Sequence, residues 1–192
     1  MRNNYNMELL DVLDEQGNKI GVEERKIVHE KGLWHIHVGV WIMNQNGELL
    51  LQQRSGAKKV NPYKWTRTGG HVDSGEIPID GIQREVEEEI GVKISKDDFE
   101  PMGIEKIEKV NSNQNIINRN YVYSYFAFVK YKLEDYKIQE EEVCNLKYMS
   151  IEEIEEAMES QDENYTFLFW ETEKFKKTIS FLKSKRKSLL NN

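Results

Sequence analysis

The chain has 192 residues, a net charge of −7 and a single cysteine, Cys144. That length suits one domain with appendages, and one cysteine excludes a disulfide framework or a thiolate metal cluster. The negative balance argues against a broad nucleic-acid footprint, and no apolar run has the length of a membrane span or signal peptide, so a cytoplasmic location is expected.

The first predicted element is a hairpin turning at Gln16-Gly17-Asn18, followed by a buried strand at His37 to Met43, a turn at Asn44 to Gly47 and a strand at Leu49 to Gln53. Ile79, Ile82, Val86 and Ile90 recur at roughly 100° per residue and predict a helix over 79–90. Pro78 suits its first turn and Gly91 the position past its end. Strand-like runs at Gly103 to Val110 and Asn120 to Lys130 flank a turn-rich polar segment, Asn111 to Asn115, and the loop from Asn111 to Arg119 has the composition of a lid or of a mobile connection. A short strand after Glu142 precedes a helix from Ser150 to Met158. The last predicted helix, near Phe169 to Leu190, holds seven Lys or Arg against two Glu between Glu171 and Leu190. Phe175, Ile179, Leu182 and Arg186 fall at helical spacing there, so an apolar stripe should pack on the domain, while the basic edges would also suit RNA, a membrane surface or an acidic partner. There are no internal repeats. The expected organisation is an N-terminal hairpin extension (1–30), a central domain (31–160) and a C-terminal helical extension (161–192).

The 79–90 helix carries the chemistry. Glu85, Glu88 and Glu89 stand at i, i+3 and i+4, so they share a second stripe beside a glycine turn at Gly70. Crowded carboxylates repel unless a counter-charge joins them, and an all-oxygen set suits Mg²⁺ or Mn²⁺ shared with substrate phosphates. A solvated acidic face has the same composition.

With Glu76, Arg84, Val86, Gly91 and Val92 added, the span from Gly70 to Val92 matches every defined position of the Nudix box. The flanks Gly47 to Arg54 and Trp65 to Val72 also resemble the Nudix hydrolase superfamily, from about Met7 to Ile154. The resemblance implies an α/β/α sandwich with a mixed sheet, here with the N-terminal β-hairpin and an extra C-terminal helix. It implies metal ligation by Glu85 and Glu89, with Glu88 direct or water-mediated and the Gly70 carbonyl completing the shell. Arg84 would orient the cluster by pairing with Glu76, and a metal-activated water would cleave a diphosphate. The base would be Glu89 or Glu142, although Glu142 also reads as part of a solvated acidic turn. Arg54 and Arg67 are candidates for holding phosphate, with Lys58 and Lys59 nearby. His71, Glu76 and Trp34 complete the candidate substrate contacts, and Tyr63, Trp65, Tyr121 and Tyr123 are further aromatics suited to a base or apolar moiety.

Within that superfamily the N-terminal part is similar to isopentenyl-diphosphate isomerase, whose metal-binding histidines match the neighbourhood of His29, Trp34-His35-Ile36-His37 and His71. Gly69 stands where the isomerases carry a cysteine, and Asn118-Arg119-Asn120-Tyr121 where they carry an acidic pair, so the acid/base pair for moving a proton is missing. A retained zinc site would draw on these histidines, but His35 and His37 alternate on a strand and should not share one ion. The expected activity is a metal-dependent pyrophosphohydrolase acting on a nucleoside diphosphate derivative or a nucleoside di- or triphosphate. The alternatives are a noncatalytic nucleotide-binding regulator and an isomerase-like enzyme. The expected partner is a small-molecule diphosphate, with the hairpin and terminal helix as candidate surfaces for a homodimer.

Overall fold

The computed structural model describes residues 8–111, 116–166 and 172–190. In chain order its elements are β1 (Leu9–Leu13), β2 (Lys19–Glu24), α1 (Arg25–Lys31), β3 (Trp34–Met43), β4 (Leu49–Arg54), β5 (Trp65–Thr66), β6 (Thr68–His71), α2 (Pro78–Ile90), β7 (Glu100–Asn111), β8 (Ile116–Phe128), β9 (Val143–Met149), α3 (Ile151–Glu159) and α4 (Thr172–Leu190), with short 3-10 turns before β7 and before β9. The main strand path runs β2-β1-β3-β4-β5; β6 and β8 also pair with β3, β7 with β8, and β9 with β4. Of the stretch from Asn111 to Arg119 foreseen as a lid or loop, 112–115 lie outside the described residues and Ile116 to Arg119 belong to strand β8; the predicted start of the last helix at 167–171 also lies outside them.

Contacts group the residues into two units, the first comprising Met1–Val40, Gly69–Glu85 and Ser95–Tyr125, the second the remainder. In the first unit β1 and β2 form an antiparallel hairpin with Leu10 opposite Glu23 and Val12 opposite Gly21. Asp14 closes its turn, accepting the Gln16 and Asn18 backbone N–H groups at 2.9 and 2.8 Å. Strand alternation sends Leu10 and Val12 inward onto Val28 of α1. That helix was not anticipated: its seven residues bury only Val28, too few for a periodic signal, and it stops at Gly32 in the left-handed region (φ 61°).

In the second unit β4 is the central strand, pairing antiparallel with β5 and along its length with β9. Leu49, Leu50 and Leu51 are all buried, as a strand covered on both faces requires. Ser150 caps α3 in a reciprocal box with Glu153, their bonds 2.7 to 3.2 Å long. Helix α4 buries Phe175, Ile179 and Leu182, each side chain contributing roughly 1.5–3 kcal/mol. Its basic edge is partly committed to α3, since Arg186 makes a two-pronged contact with Glu152 (2.6 and 2.7 Å) and Lys183 meets Glu155 at 2.6 Å.

Candidate metal and diphosphate site

Helix α2 forms where the apolar stripe predicts it: Ile82, Val86 and Ile90 are fully buried. At its far end, the backbone N–H groups of Lys137 and Gln139 reach the carbonyls of Ile90 and Glu89 at 3.0 Å, satisfying helix-end acceptors. At the near end, Gly70 on β6 lies so close to Glu85 that a Cβ there would stand 2.5 and 2.6 Å from its carboxylate oxygens. Only a glycine lets that carboxylate rest on the turn.

Arg84 organises the same end. Its guanidinium grips Glu76 with two bonds (3.1 and 3.0 Å), donates to Glu85 Oε1 at 2.8 Å and donates to the His71 carbonyl at 2.8 Å. Burial works against its charge, but the Glu76 hydrogen bonds and the Glu85 charge raise its pKa above the usual arginine value. Glu76 also accepts the Asp73 backbone N–H at 3.1 Å, so it anchors the turn to the helix. It was expected to contact substrate; the bonds it makes are to Arg84 and Asp73.

One turn further along α2, Glu89 is 7% exposed. Gln52 Nε2 donates to its Oε2 at 2.8 Å, and Thr68 Oγ1 donates to Gln52 Oε1 at 2.8 Å. This buried relay points one carboxylate oxygen at a fixed donor. Gln52 and Thr68 were not singled out in the sequence, where the only available signal was a glutamine ending a run of three buried leucines. Glu88, the third acid of the stripe, is exposed.

The histidines form a second cluster, in the first unit. Ligand atoms of His29, His35 and His71 all lie within 4.8 Å of one another. The His35 and His71 rings stack at 5.2 Å, and His37 meets His71 edge-on at 5.3 Å without belonging to the triad. His35 Nδ1 bonds the Leu33 carbonyl at 2.9 Å, which makes Nδ1 the protonated nitrogen and leaves Nε2 with its lone pair. That Nε2 and His29 Nδ1 are buried with no hydrogen-bond partner among the described residues. Burial lowers the His35 pKa to about 4, and burial with neighbouring cationic groups pushes His29 and His71 down as well. Neutral imidazoles with unpartnered nitrogens fit a borderline divalent metal.

Around the triad the isomerase pattern is absent. A Cβ on Gly69 would stand 2.7 Å from the Gly39 Cα and clash with the Val38 carbonyl, so this backbone has no room for a cysteine. Asn118 hydrogen-bonds His29, and the buried Asn120 Oδ1 has no partner among the described residues.

The remaining candidates have partners of their own. Glu142 is ion-paired with Lys58. Arg54 Nε donates to the Val60 carbonyl at 3.0 Å, and the Arg67 guanidinium lies 6.0 Å from the Trp41 ring centre. Trp34 is covered by Lys106 (4.4 Å) and meets Tyr121 at 5.4 Å, and Lys147 sits 4.3 Å over Trp65.

Comparison with solved structures gives the class. A Deinococcus radiodurans protein, DR0079, superposes with a TM-score of 0.65 at 19% identity, covering 84% of this chain and 94% of its own, and the other structural neighbours include MutT and Nudix proteins. The fold is therefore the α/β fold of those proteins. A family model of the NUDIX domain matches residues 33–170, and the chain belongs to the Nudix hydrolase family. Nudix hydrolase 3 of Arabidopsis thaliana is 36% identical over 163 residues, which are 82% of this chain but only 21% of that longer protein. An uncharacterised Nudix hydrolase of Clostridium acetobutylicum is 33% identical over 80% of this chain and 75% of its own length. Bacterial isopentenyl-diphosphate isomerases also match, at 28% to 38% identity. No helix among the described residues is long and apolar enough to cross a membrane.

Proposed function

We propose that the chain is a Mg²⁺- or Mn²⁺-dependent pyrophosphohydrolase that cleaves the diphosphate linkage of a nucleoside diphosphate derivative or of a nucleoside di- or triphosphate. The observation that carries this reading is the preparation of α2: Glu85 seated on the Gly70 backbone and Glu89 held by Gln52. Glu85 and Glu89, one helical turn apart, would hold the ion, with the Gly70 carbonyl and the exposed Glu88 completing its surroundings. When bound, such an ion lowers the pKa of a water and neutralises diphosphate charge.

The protein's own groups do the rest. Arg84 locks the turn against the helix, and Gln52 fixes which Glu89 oxygen is turned away from the site. Glu89 is favoured over Glu142 as base, because it shares the helical stripe of Glu85 and Glu88 while Glu142 is ion-paired with Lys58. The unpartnered nitrogens of His29 and His35, with a His71 ligand atom within 4.8 Å of theirs, favour a second, imidazole-held divalent ion in the first unit. The crowded Gly69 backbone weighs against isomerase chemistry. A small-molecule substrate in a cytoplasmic setting accords with the acidic chain and its single exposed cysteine.

The test is Mg²⁺-dependent release of product from a panel of nucleotide sugars, dinucleotides and nucleoside di- and triphosphates, with wild type beside Glu89→Gln. The variant should keep the circular dichroism spectrum and lose about a hundredfold or more in turnover. Unchanged turnover would refute the assignment, and tight nucleotide binding without product from wild type would establish a regulator instead.

A further inference from the structure

The loop between β4 and β5 contains a residue whose conformation the fold does not explain. Tyr63 has φ +61° and, two residues earlier, Asn61 has φ +51°. The left-handed region suits glycine and tolerates asparagine, but a bulky aromatic there is an outlier. Such a strained residue persists only where its surroundings hold it, and these do. Tyr63 N–H donates to the Arg54 carbonyl at 3.0 Å, its own carbonyl accepts from Gln53 Nε2 at 2.9 Å, and Arg54 N–H reaches the Lys64 carbonyl at 3.0 Å.

Packing does not explain the strain, because Tyr63 is 63% exposed. The hydroxyl end of the ring is seated against Gly56, where a Cβ would stand 2.5 Å from Cζ and 3.0 Å from Cε1. A glycine at position 63 would take the same backbone conformation without strain and lose little burial. The ring is therefore presented to solvent on a rigid mount, in a loop that also carries Lys58, Lys59 and Lys64.

The mount is tied to the strand that carries the partner of Glu89. Gln52, which grips Glu89, lies opposite Thr66 in the β4–β5 pairing, and Arg54, bonded to Tyr63, lies two residues along β4.

We propose that Tyr63 is a stacking platform for the planar base of the nucleotide substrate and so determines specificity for nucleoside over other diphosphates. This rests on the hydrolase reading of α2, and the test separates the two. Binding of the non-hydrolysable α,β-methylene-ADP and of methylenediphosphonate is measured by calorimetry with Mg²⁺ for wild type, Tyr63→Gly and Tyr63→Phe. Tyr63→Gly should weaken α,β-methylene-ADP about tenfold or more, leave methylenediphosphonate unchanged and unfold at no lower a temperature than wild type. Tyr63→Phe should bind both as wild type does. Equal affinity of wild type and Tyr63→Gly for α,β-methylene-ADP would overturn the platform, as would equal loss for both ligands or a lowered unfolding temperature. Failure of wild type to bind methylenediphosphonate with Mg²⁺ would instead overturn the hydrolase reading beneath it.

Discussion

Replacing Gln52 by leucine isolates what the buried relay does for Glu89. The substitution keeps the volume of the side chain but removes the donor to Glu89 Oε2 and the acceptor for Thr68 Oγ1, both at 2.8 Å and both inside the protein. The bond to a charged carboxylate is worth about 1.5–3 kcal/mol and the neutral one about 1 kcal/mol. A leucine recovers part of this as apolar burial, so the net loss of stability should be about 2 kcal/mol. The functional effect is separable, because Glu89 loses the group that orients it. Loss of such an orienting partner costs about 10–100-fold in metal affinity. Urea unfolding gives the first quantity, and the Mg²⁺ concentration for half-maximal turnover gives the second. A variant destabilised as expected but with an unchanged Mg²⁺ requirement would refute the idea that Gln52 aims Glu89 at a metal.

Arg84→Lys should cost about 2 kcal/mol in a denaturant melt, since an ammonium cannot reproduce the two-pronged grip on Glu76 while also reaching Glu85 and the His71 carbonyl. Gly69→Ala should destabilise by about 1–3 kcal/mol through its contact with the Val38 and Gly39 backbone, and a variant as stable as wild type would show that the position has room for a side chain after all. Acid should weaken the metal-free protein in a window set by the histidines. With folded pKa values below the ordinary 6.5, they stay neutral in the fold while the unfolded chain takes up protons, so stability present above pH 6.5 is lost as pH falls toward about 4. His35 alone accounts for about 3 kcal/mol across that range. Thermal melts of chelator-treated protein between pH 7 and 4.5 measure it, and His35→Gln should flatten the slope.

How much of this was legible in the sequence depended on whether the signal was local. Helix α2 could be read residue by residue, because its buried stripe, its acidic stripe and its terminal glycine all lie within one short span that obeys a single period. Gly70 was legible as a turn, but the closeness of Glu85 to its backbone was not, since that depends on how β6 meets the helix. Gln52 illustrates the same limit from the other side. A glutamine at the end of an apolar strand reads equally well as the strand's exit to solvent, and only the position of Glu89, 37 residues later, makes it a buried orienting group. Strand parity bears on whether His35 and His37 could share one ion, yet it has nothing to say about His29 on α1 or His71 on β6. Those two join His35 through tertiary structure alone. Tyr63 was legible only as one of several aromatics suited to a base, and what sets it apart from the others is a backbone angle.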